Sequence, residues 1–294
     1  MSGVPLRRQR TDAPPLGGRV KDAAVEVARE VAREAPQLAR EGQERVAEVA
    51  RAVASLDIRW ARSRPALWAR EKFMSFVMNP ILDHYAARRA TGFDRLSSLN
   101  EPVILVANHA SHMDTPVILS ALPRKLRRRT AVAAAADYFY RYRIVAWLVS
   151  LAFNTVPIER KGGGPKNMSH LDRLLDDGWS LLLFPEGTRS HGNGPGRVRR
   201  GAAILAAHHN LPIVPIRVTG TAAAMPPGTL WPKRLRGKLL TRRHRIEVSF
   251  GEPIQPIADT TVLIEKVQQF FDAVEIKPAA RSRWLRARRS RAGD

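Results

Sequence analysis

Val103-Ile104-Leu105-Val106-Ala107-Asn108-His109-Ala110-Ser111-His112-Met113-Asp114-Thr115-Pro116 is the stretch on which the fold turns. A short apolar run rich in β-branched residues stops at Asn108-His109. Five residues beyond that histidine lies Asp114, followed by Thr-Pro, a helix-start signal. The pattern predicts strand, turn and helix. Turns of this kind sit at the carboxyl edge of the strands, where open α/β sheets tend to place their chemistry.

The pattern repeats downstream. Val103 to Ala107, Thr130 to Ala136, Thr155 to Ile158, Ser180 to Phe184, Ile213 to Thr219 and Ile246 to Phe250 read as strands. Helical stretches lie between them at about Thr115 to Leu122, Tyr140 to Leu151, Lys166 to Asp177 and Val198 to His209. This alternation predicts an α/β fold with a largely parallel or mixed sheet flanked by helices, over residues 95–260, with no internal repeat. Upstream, residues 1–19 are rich in Pro, Gly and Arg and predict a basic, disordered arm. Residues 20–57 predict an N-terminal amphipathic helical extension broken at Pro36 and Gly42. A C-terminal helix is expected over 261–280 and an Arg-rich tail over 281–294.

Charge narrows the partner classes. There are 49 Lys and Arg against 27 Asp and Glu, a net charge of +22, which favours a polyanionic partner. The absence of cysteine excludes disulfides, thiol catalysis and cysteine-ligated zinc. No apolar signal segment follows the N-terminal arginines, and the longest apolar stretch, Ile144 to Ile158, is interrupted by Ser150 and Asn154. A membrane role would therefore be peripheral. Residues 58–94 predict a membrane-interface helix, because Trp60, Trp68, Phe73 and Phe76 are interleaved with Arg59, Arg62, Arg64, Arg70 and Lys72. A core helix with a solvated basic side fits the same pattern. The run Arg124-Lys125-Leu126-Arg127-Arg128-Arg129 and the tail arginines beside Trp284 and Leu285 suit an anionic membrane surface at the cytoplasmic face of the cell membrane. Nucleic acid is the disfavoured partner, since no recognition-helix or RNA-binding signature is present.

Four stretches hold candidate chemistry. His109 and Asp114 could form a base and its orienting carboxylate. Equally, Asp114 could be a helix N-cap and His109 a plain turn residue, and His112 is a rival partner for the same carboxylate. Phe184-Pro185-Glu186-Gly187-Thr188-Arg189-Ser190 is a strand-end turn whose glycine allows close ligand approach, while Thr188 and Arg189 offer donors suited to phosphate oxygens. Asn154-Thr155-Val156-Pro157-Ile158-Glu159-Arg160 ends another strand on a cation suited to phosphate. Val214-Pro215-Ile216 is an apolar strand whose internal proline indicates an edge or a bulge. His170 with Asp172 reads as a solvated helix face, and His208-His209 as a helix end whose dipole suits imidazole. No spacing along the chain suggests a metal, and no Gly-x-Ser-x-Gly elbow is present.

Taken in order, these four blocks resemble those of the glycerolipid acyltransferase family, which includes 1-acylglycerol-3-phosphate acyltransferases. The resemblance spans about residues 100 to 220. It implies direct acyl transfer from a thioester, acyl-CoA or acyl carrier protein, to the hydroxyl of a lysophospholipid acceptor, without cofactor or metal. The most natural acceptor is 1-acylglycerol-3-phosphate, which would give phosphatidic acid. By the same resemblance His109 is the base and Asp114 its orienter, while Arg160, Glu186, Gly187, Thr188 and Arg189 bind the acceptor phosphate and Val214, Pro215 and Ile216 the acyl donor. The acidic carrier protein would dock on Arg124 to Arg129. Ala110 and Glu159 depart from the family pattern at positions that bear on the acceptor. An acyltransferase acting on another lipid hydroxyl, and a non-catalytic membrane or acyl-chain binding module, are the alternative readings.

Overall fold

The computed structural model describes residues 57–97, 99, 102–135, 143–158, 169–186, 198–229, 231–235 and 242–273. The expected basic arm, nearly all of the helical extension and the Arg-rich tail lie outside them. The described residues belong to one compact unit, Ala50–Asp294.

A helical segment leads in: a 3₁₀ turn at Arg59–Arg62, α1 at Arg64–Phe73, a π turn at Met74–Met78, and α2 at Asn79–Tyr85. The π turn directly precedes Pro80, whose ring and missing N–H do not fit an unbroken α-helix, so the ladder widens there instead of ending. Seven strands follow among the described residues: β1 Ala86–Thr91, β2 Ile104–Ala107, β3 Thr130–Ala135, β4 Thr155–Ile158, β5 Ser180–Leu183, β6 Ile213–Thr219, and β7 His244–Phe250. The longer helices between and after them are α3 Asp114–Ala121, α4 Arg143–Phe153, α5 Ser169–Asp176, α6 Gly201–His209 and α7 Thr260–Ala273.

One sheet takes all seven strands in the order β1-β7-β6-β2-β5-β3-β4. Every pairing is parallel except β6 with β7. The strand β2, fully buried, lies between β5 and β6, so its carboxyl end meets theirs along one edge. Its side chains alternate between two cores, as the two-residue period requires. Leu105 and Ala107 pack with Val117, Ile118 and Ile216, while Ile104 and Val106 pack with Leu171, Leu205, Leu263 and Phe271.

Three sequence expectations change. The strand β1 falls inside the segment read as helix, because Ala-Ala-Arg-Arg-Ala-Thr has no apolar alternation; it is an edge strand with only Ala86 buried, held by its parallel register with β7. Pro215 lies in a central strand, neither edge nor bulge. Its carbonyl oxygen accepts the Gly251 amide at 2.8 Å, on the β7 flank. In a strand a residue's N and O face the same flank, so the missing N–H falls where β7 has already ended at Phe250, and no ladder bond is lost. Gly251 permits this approach, since a Cβ there would stand 2.6 Å from the Pro215 ring. The third change is His170, which is buried, with Nε2–H donating to the Pro157 carbonyl. It shares the inward side of α5 with Leu171 and Leu174.

Arginines join the leading helices to the sheet layer. Arg70, 5% exposed, donates to the carbonyls of Ala61, Ser150 and Leu151, so it caps the last turn of α4 while fixing α1 beside it. Burial, reinforced by Arg62 and opposed by Glu71, lowers its pKa to about 10, which keeps it charged at neutral pH. Arg127 forms a two-pronged pair with Glu71 of α1, at 3.0 and 2.9 Å, and Arg124 lies 3.4 Å from the same carboxylate. Arg129 bonds the Asp177 carbonyl and covers the Trp179 ring. Much of the basic run therefore holds the fold together and is only partly available for docking an acidic partner.

Burial, partly offset by the Pro157 carbonyl, holds His170 below its ordinary value of 6.5, and burial moves His244 the same way. The unfolded chain then binds these protons more readily than the folded one. Stability due to the neutral rings is complete above about pH 6.5 and declines as pH falls toward the lowered folded values. Thermal unfolding followed by circular dichroism from about pH 7.5 to about pH 5.5 should show a falling Tm, with a shallower slope in His170→Gln. An equal slope in the variant would remove His170 from this account.

Candidate active site

The site grows out of the end of β2. Asn108 closes the strand with its side chain: Oδ1 accepts the Val218 amide at 2.7 Å and Nδ2 donates to the Val218 carbonyl at 3.0 Å. The carboxamide thus stands in for one more peptide unit of the β2–β6 ladder and releases the backbone into a turn. On that turn His109 Nδ1 lies 3.0 Å from Asp114 Oδ2. The same oxygen accepts the amides of Ala110 at 2.7 Å and Ser111 at 2.8 Å. Asp114 is completely buried at the first position of α3, and its other oxygen, Oδ1, has no hydrogen-bond partner among the described residues.

This geometry decides between the readings left open by the sequence. An N-cap would accept amides from inside its own helix, whereas Asp114 accepts from residues upstream and orients the turn. An oxygen that takes three N–H groups is an acceptor, so the imidazole carries its proton on Nδ1 and presents the Nε2 lone pair. The His109 side chain is 20% exposed, so that lone pair is reachable. Asp114 makes its pair with His109.

The second wall comes from β5. Phe184 places its ring centroid 4.4 Å from that of His109, tilted by 34°, which supports one face of the imidazole. Glu186, 7% exposed, accepts the His109 amide on Oε1 at 3.1 Å. The resemblance puts Glu186 with the acceptor; in the structure its Oε1 meets the backbone of the first turn and joins the two turns. Ser111, fully buried, donates from Oγ to the Met225 carbonyl at 2.8 Å and ties the turn to the segment after β6.

The other expected site residues divide into two groups. Val214, Pro215 and Ile216 are buried within β6, paired with Leu105, Val106 and Ala107. Arg160, Gly187, Thr188 and Arg189, with Glu159, lie outside the described residues. Sequence reading passed over Asn108 and Phe184, which look like ordinary strand-end residues, and Arg217. That arginine is 4% exposed in β6, where its charge faces Glu186 and Asp272 and burial lowers its pKa. An arginine inside the apolar run Ile213 to Val218 was the available signal.

Residues 87–219 match the family whose description is Acyltransferase. A chloroplastic 1-acyl-sn-glycerol-3-phosphate acyltransferase of Brassica napus is 30% identical over 143 residues, 47% of this chain and 39% of that protein. The human 1-acyl-sn-glycerol-3-phosphate acyltransferase alpha is 30% identical over 122 residues, 40% of each chain. The chain therefore spans about two fifths of the length of these curated relatives. The crystal structure of the 1-acyl-sn-glycerophosphate acyltransferase PlsC from Thermotoga maritima has the same fold, with a TM-score of 0.54 at 21% identity, over 70% of this chain and 76% of that one.

Nitrogen-15 spectra of the imidazoles should show His109 as the Nδ1–H tautomer at alkaline pH. In Asp114→Ala that preference should vanish while the remaining histidine signals hold. A wild-type His109 protonated on Nε2 instead would contradict the geometry.

Proposed function

We propose, from the match of residues 87–219 to the Acyltransferase family, that the chain is an acyltransferase and moves a fatty acyl group from a thioester donor to the free hydroxyl of a lysoglycerophospholipid. The acceptor we propose is 1-acylglycerol-3-phosphate and the product phosphatidic acid, on the strength of the relatives' named activity. The observation that carries the reading is the single acceptor oxygen of Asp114 that fixes Nδ1–H and leaves Nε2 of His109 unprotonated at the sheet edge.

In this reaction Nε2 takes the proton of the acceptor hydroxyl as its oxygen attacks the thioester carbonyl carbon. The tetrahedral adduct collapses with cleavage of the C–S bond, and the proton on Nε2 passes to the departing sulfur. The products are an ester and a free thiol, with no acyl-enzyme and no cofactor. Acyl-CoA or acyl carrier protein supplies the thioester. Arg160, Gly187, Thr188 and Arg189 are the proposed binders of the acceptor phosphate, which suits their guanidinium and hydroxyl donors.

We place the protein at the surface of an anionic membrane, as a peripheral protein of the cytoplasmic face. Trp60, Trp68, Phe76, Trp147 and Leu148 are 46%, 63%, 72%, 51% and 62% exposed, more large apolar surface than solvent contact alone accounts for. Trp60 meets Trp147 edge to face, which joins the exposed rings of the leading helices to those of α4, and Lys72 stands over both Trp68 and Phe76. Rings beside cations suit the headgroup region. No helix among the described residues is long and apolar enough to cross a membrane.

Incubating the purified protein with labelled acyl-CoA and a panel of lipid hydroxyls should give labelled phosphatidic acid from 1-acylglycerol-3-phosphate. His109→Ala should lower that rate by about 10²–10⁴-fold with an unchanged circular dichroism spectrum. Thiol release from the wild type without any acceptor, or full activity in His109→Ala, would sink the mechanism. In sedimentation with anionic liposomes, the double variant Trp68→Ser, Phe76→Ser should stay largely in the supernatant where the wild type pellets. Equal pelleting would move the docking face elsewhere.

A further inference from the structure

The helices α5 and α6 pack against each other on the face of the sheet that holds Leu171, Leu205 and Phe271. Where they meet, one residue of α5 and two of α6 converge. His209 Nε2 lies 2.9 Å from Asp172 Oδ1, and His208 Nδ1 lies 3.7 Å from the same oxygen. These three side chains can offer ligand atoms that all fall within 4.8 Å of one another. Behind them, His209 Nδ1 lies 3.3 Å from Asp176 Oδ1. Successive residues on a helix normally diverge, yet the two imidazoles stand edge to face with centroids 4.8 Å apart.

His209 carries the argument. A neutral imidazole has one N–H, and this ring has a carboxylate oxygen at each nitrogen, with its side chain only 11% exposed. Nε2–H can donate to Asp172 Oδ1 at 2.9 Å, or Nδ1–H can serve Asp176 Oδ1 at 3.3 Å; in either tautomer the other nitrogen's lone pair faces a carboxylate oxygen, a repulsive contact unless a positive charge lies between or on them. Two charges meet that demand: a second proton on the ring, or a metal ion held by both atoms.

We propose that Asp172, His208 and His209 bind a divalent transition cation, with Zn²⁺ the best fit. Two imidazole nitrogens and one carboxylate oxygen form a borderline-soft set that suits zinc and does not suit Mg²⁺ or Ca²⁺, which take oxygen ligands. Tetrahedral bonds of about 2.0–2.1 Å place neighbouring ligand atoms about 3.3 Å apart. The two separations from Asp172, 2.9 and 3.7 Å, bracket that spacing, the two imidazole nitrogens lie within 4.8 Å of each other, and the 70% exposed side chain of His208 is free to adjust. Asp176 is the carboxylate that takes the other ring N–H of a ligating histidine, fixes its tautomer and raises its basicity. Water fills the remaining position. Because α6 leads from the carboxyl end of β5 back to the start of β6, its last turn lies at the amino edge of the parallel strands, away from His109. The ion clamps α5 to α6 and takes no part in acyl transfer.

The untagged full-length protein, stripped with a chelator and titrated with ZnCl₂ by calorimetry at about pH 7.5, should bind one equivalent saturably and gain Tm. Co²⁺ in its place should give the visible absorption of a tetrahedral site. His208→Ala should weaken binding and His209→Ala abolish it, and Asp176→Asn should lower affinity by about 10–100-fold. The exposed His208 carries the test should His209→Ala fail to fold. Absence of saturable Zn²⁺ uptake in the wild type, with His209 doubly protonated in nitrogen-15 spectra, would overturn the site in favour of an imidazolium held between two aspartates. Binding unchanged in both His208→Ala and His209→Ala would also overturn it, since the ion would then be held elsewhere.

Discussion

One oxygen atom, Oδ2 of Asp114, organises the working edge of this molecule. It takes Nδ1–H of His109 and the amides of Ala110 and Ser111 while completely shielded from water. A carboxylate moved from water into such a place costs several kcal/mol, and hydrogen bonds to a charged acceptor return about 1.5–3 kcal/mol each. The three bonds together hold the group in place, and any rearrangement of the turn that broke them would strand a buried charge. The histidine is therefore aimed by the same interaction that shapes the turn, and its geometry does not depend on substrate.

The sheet supplies the rest of the constraint. Parallel register sets β2 between β5 and β6, so that three strand ends meet along one edge. From β6, Val218 receives the Asn108 carboxamide; from beyond β5, Glu186 holds the His109 amide and Phe184 covers the ring. Residues separated by 77 to 110 positions along the chain thus hold one turn. The leading helices are joined to the same body by Arg70 and Glu71 as well as by buried Met74 and Leu82 and the Phe73–Phe153 contact, while Trp60, Trp68 and Phe76 stay outward.

What could be read from the chain follows from how local each signal is. His109 and Asp114 share one turn, so their pairing was legible from five residues of spacing, and the strands of the sheet announced themselves as apolar runs bounded by polar turns. The strand β1 was not legible because its hydrogen bonds come from β7, more than 150 residues away, and its own residues carry no period. His170 was misread because a polar residue type outweighed its place beside Leu171 and Leu174 on the inward stripe. The contact of Glu186 with the His109 amide needed the register of β2 with β5. The cluster of Asp172 with His208 and His209 needed the packing of two helices, which no spacing rule along the chain expresses.

The accounting of hydrogen bonds at the turn also limits what it can do. The amide of His109 is spent on Glu186, those of Ala110 and Ser111 on Asp114, and the Ser111 hydroxyl on Met225. None of these groups is available to stabilise negative charge on a carbonyl oxygen, which ordinarily calls for preorganised N–H donors or a cation. The turn is built to hold and move a proton, and charge stabilisation must come from other strand ends. The buried Arg217 opposes the charge of Glu186 from β6. In the proposed reaction, proton transfer and oxyanion stabilisation fall to different segments of the chain. A five-residue turn can then be fixed rigidly, since the proposed proton transfer asks for no change in its hydrogen bonds.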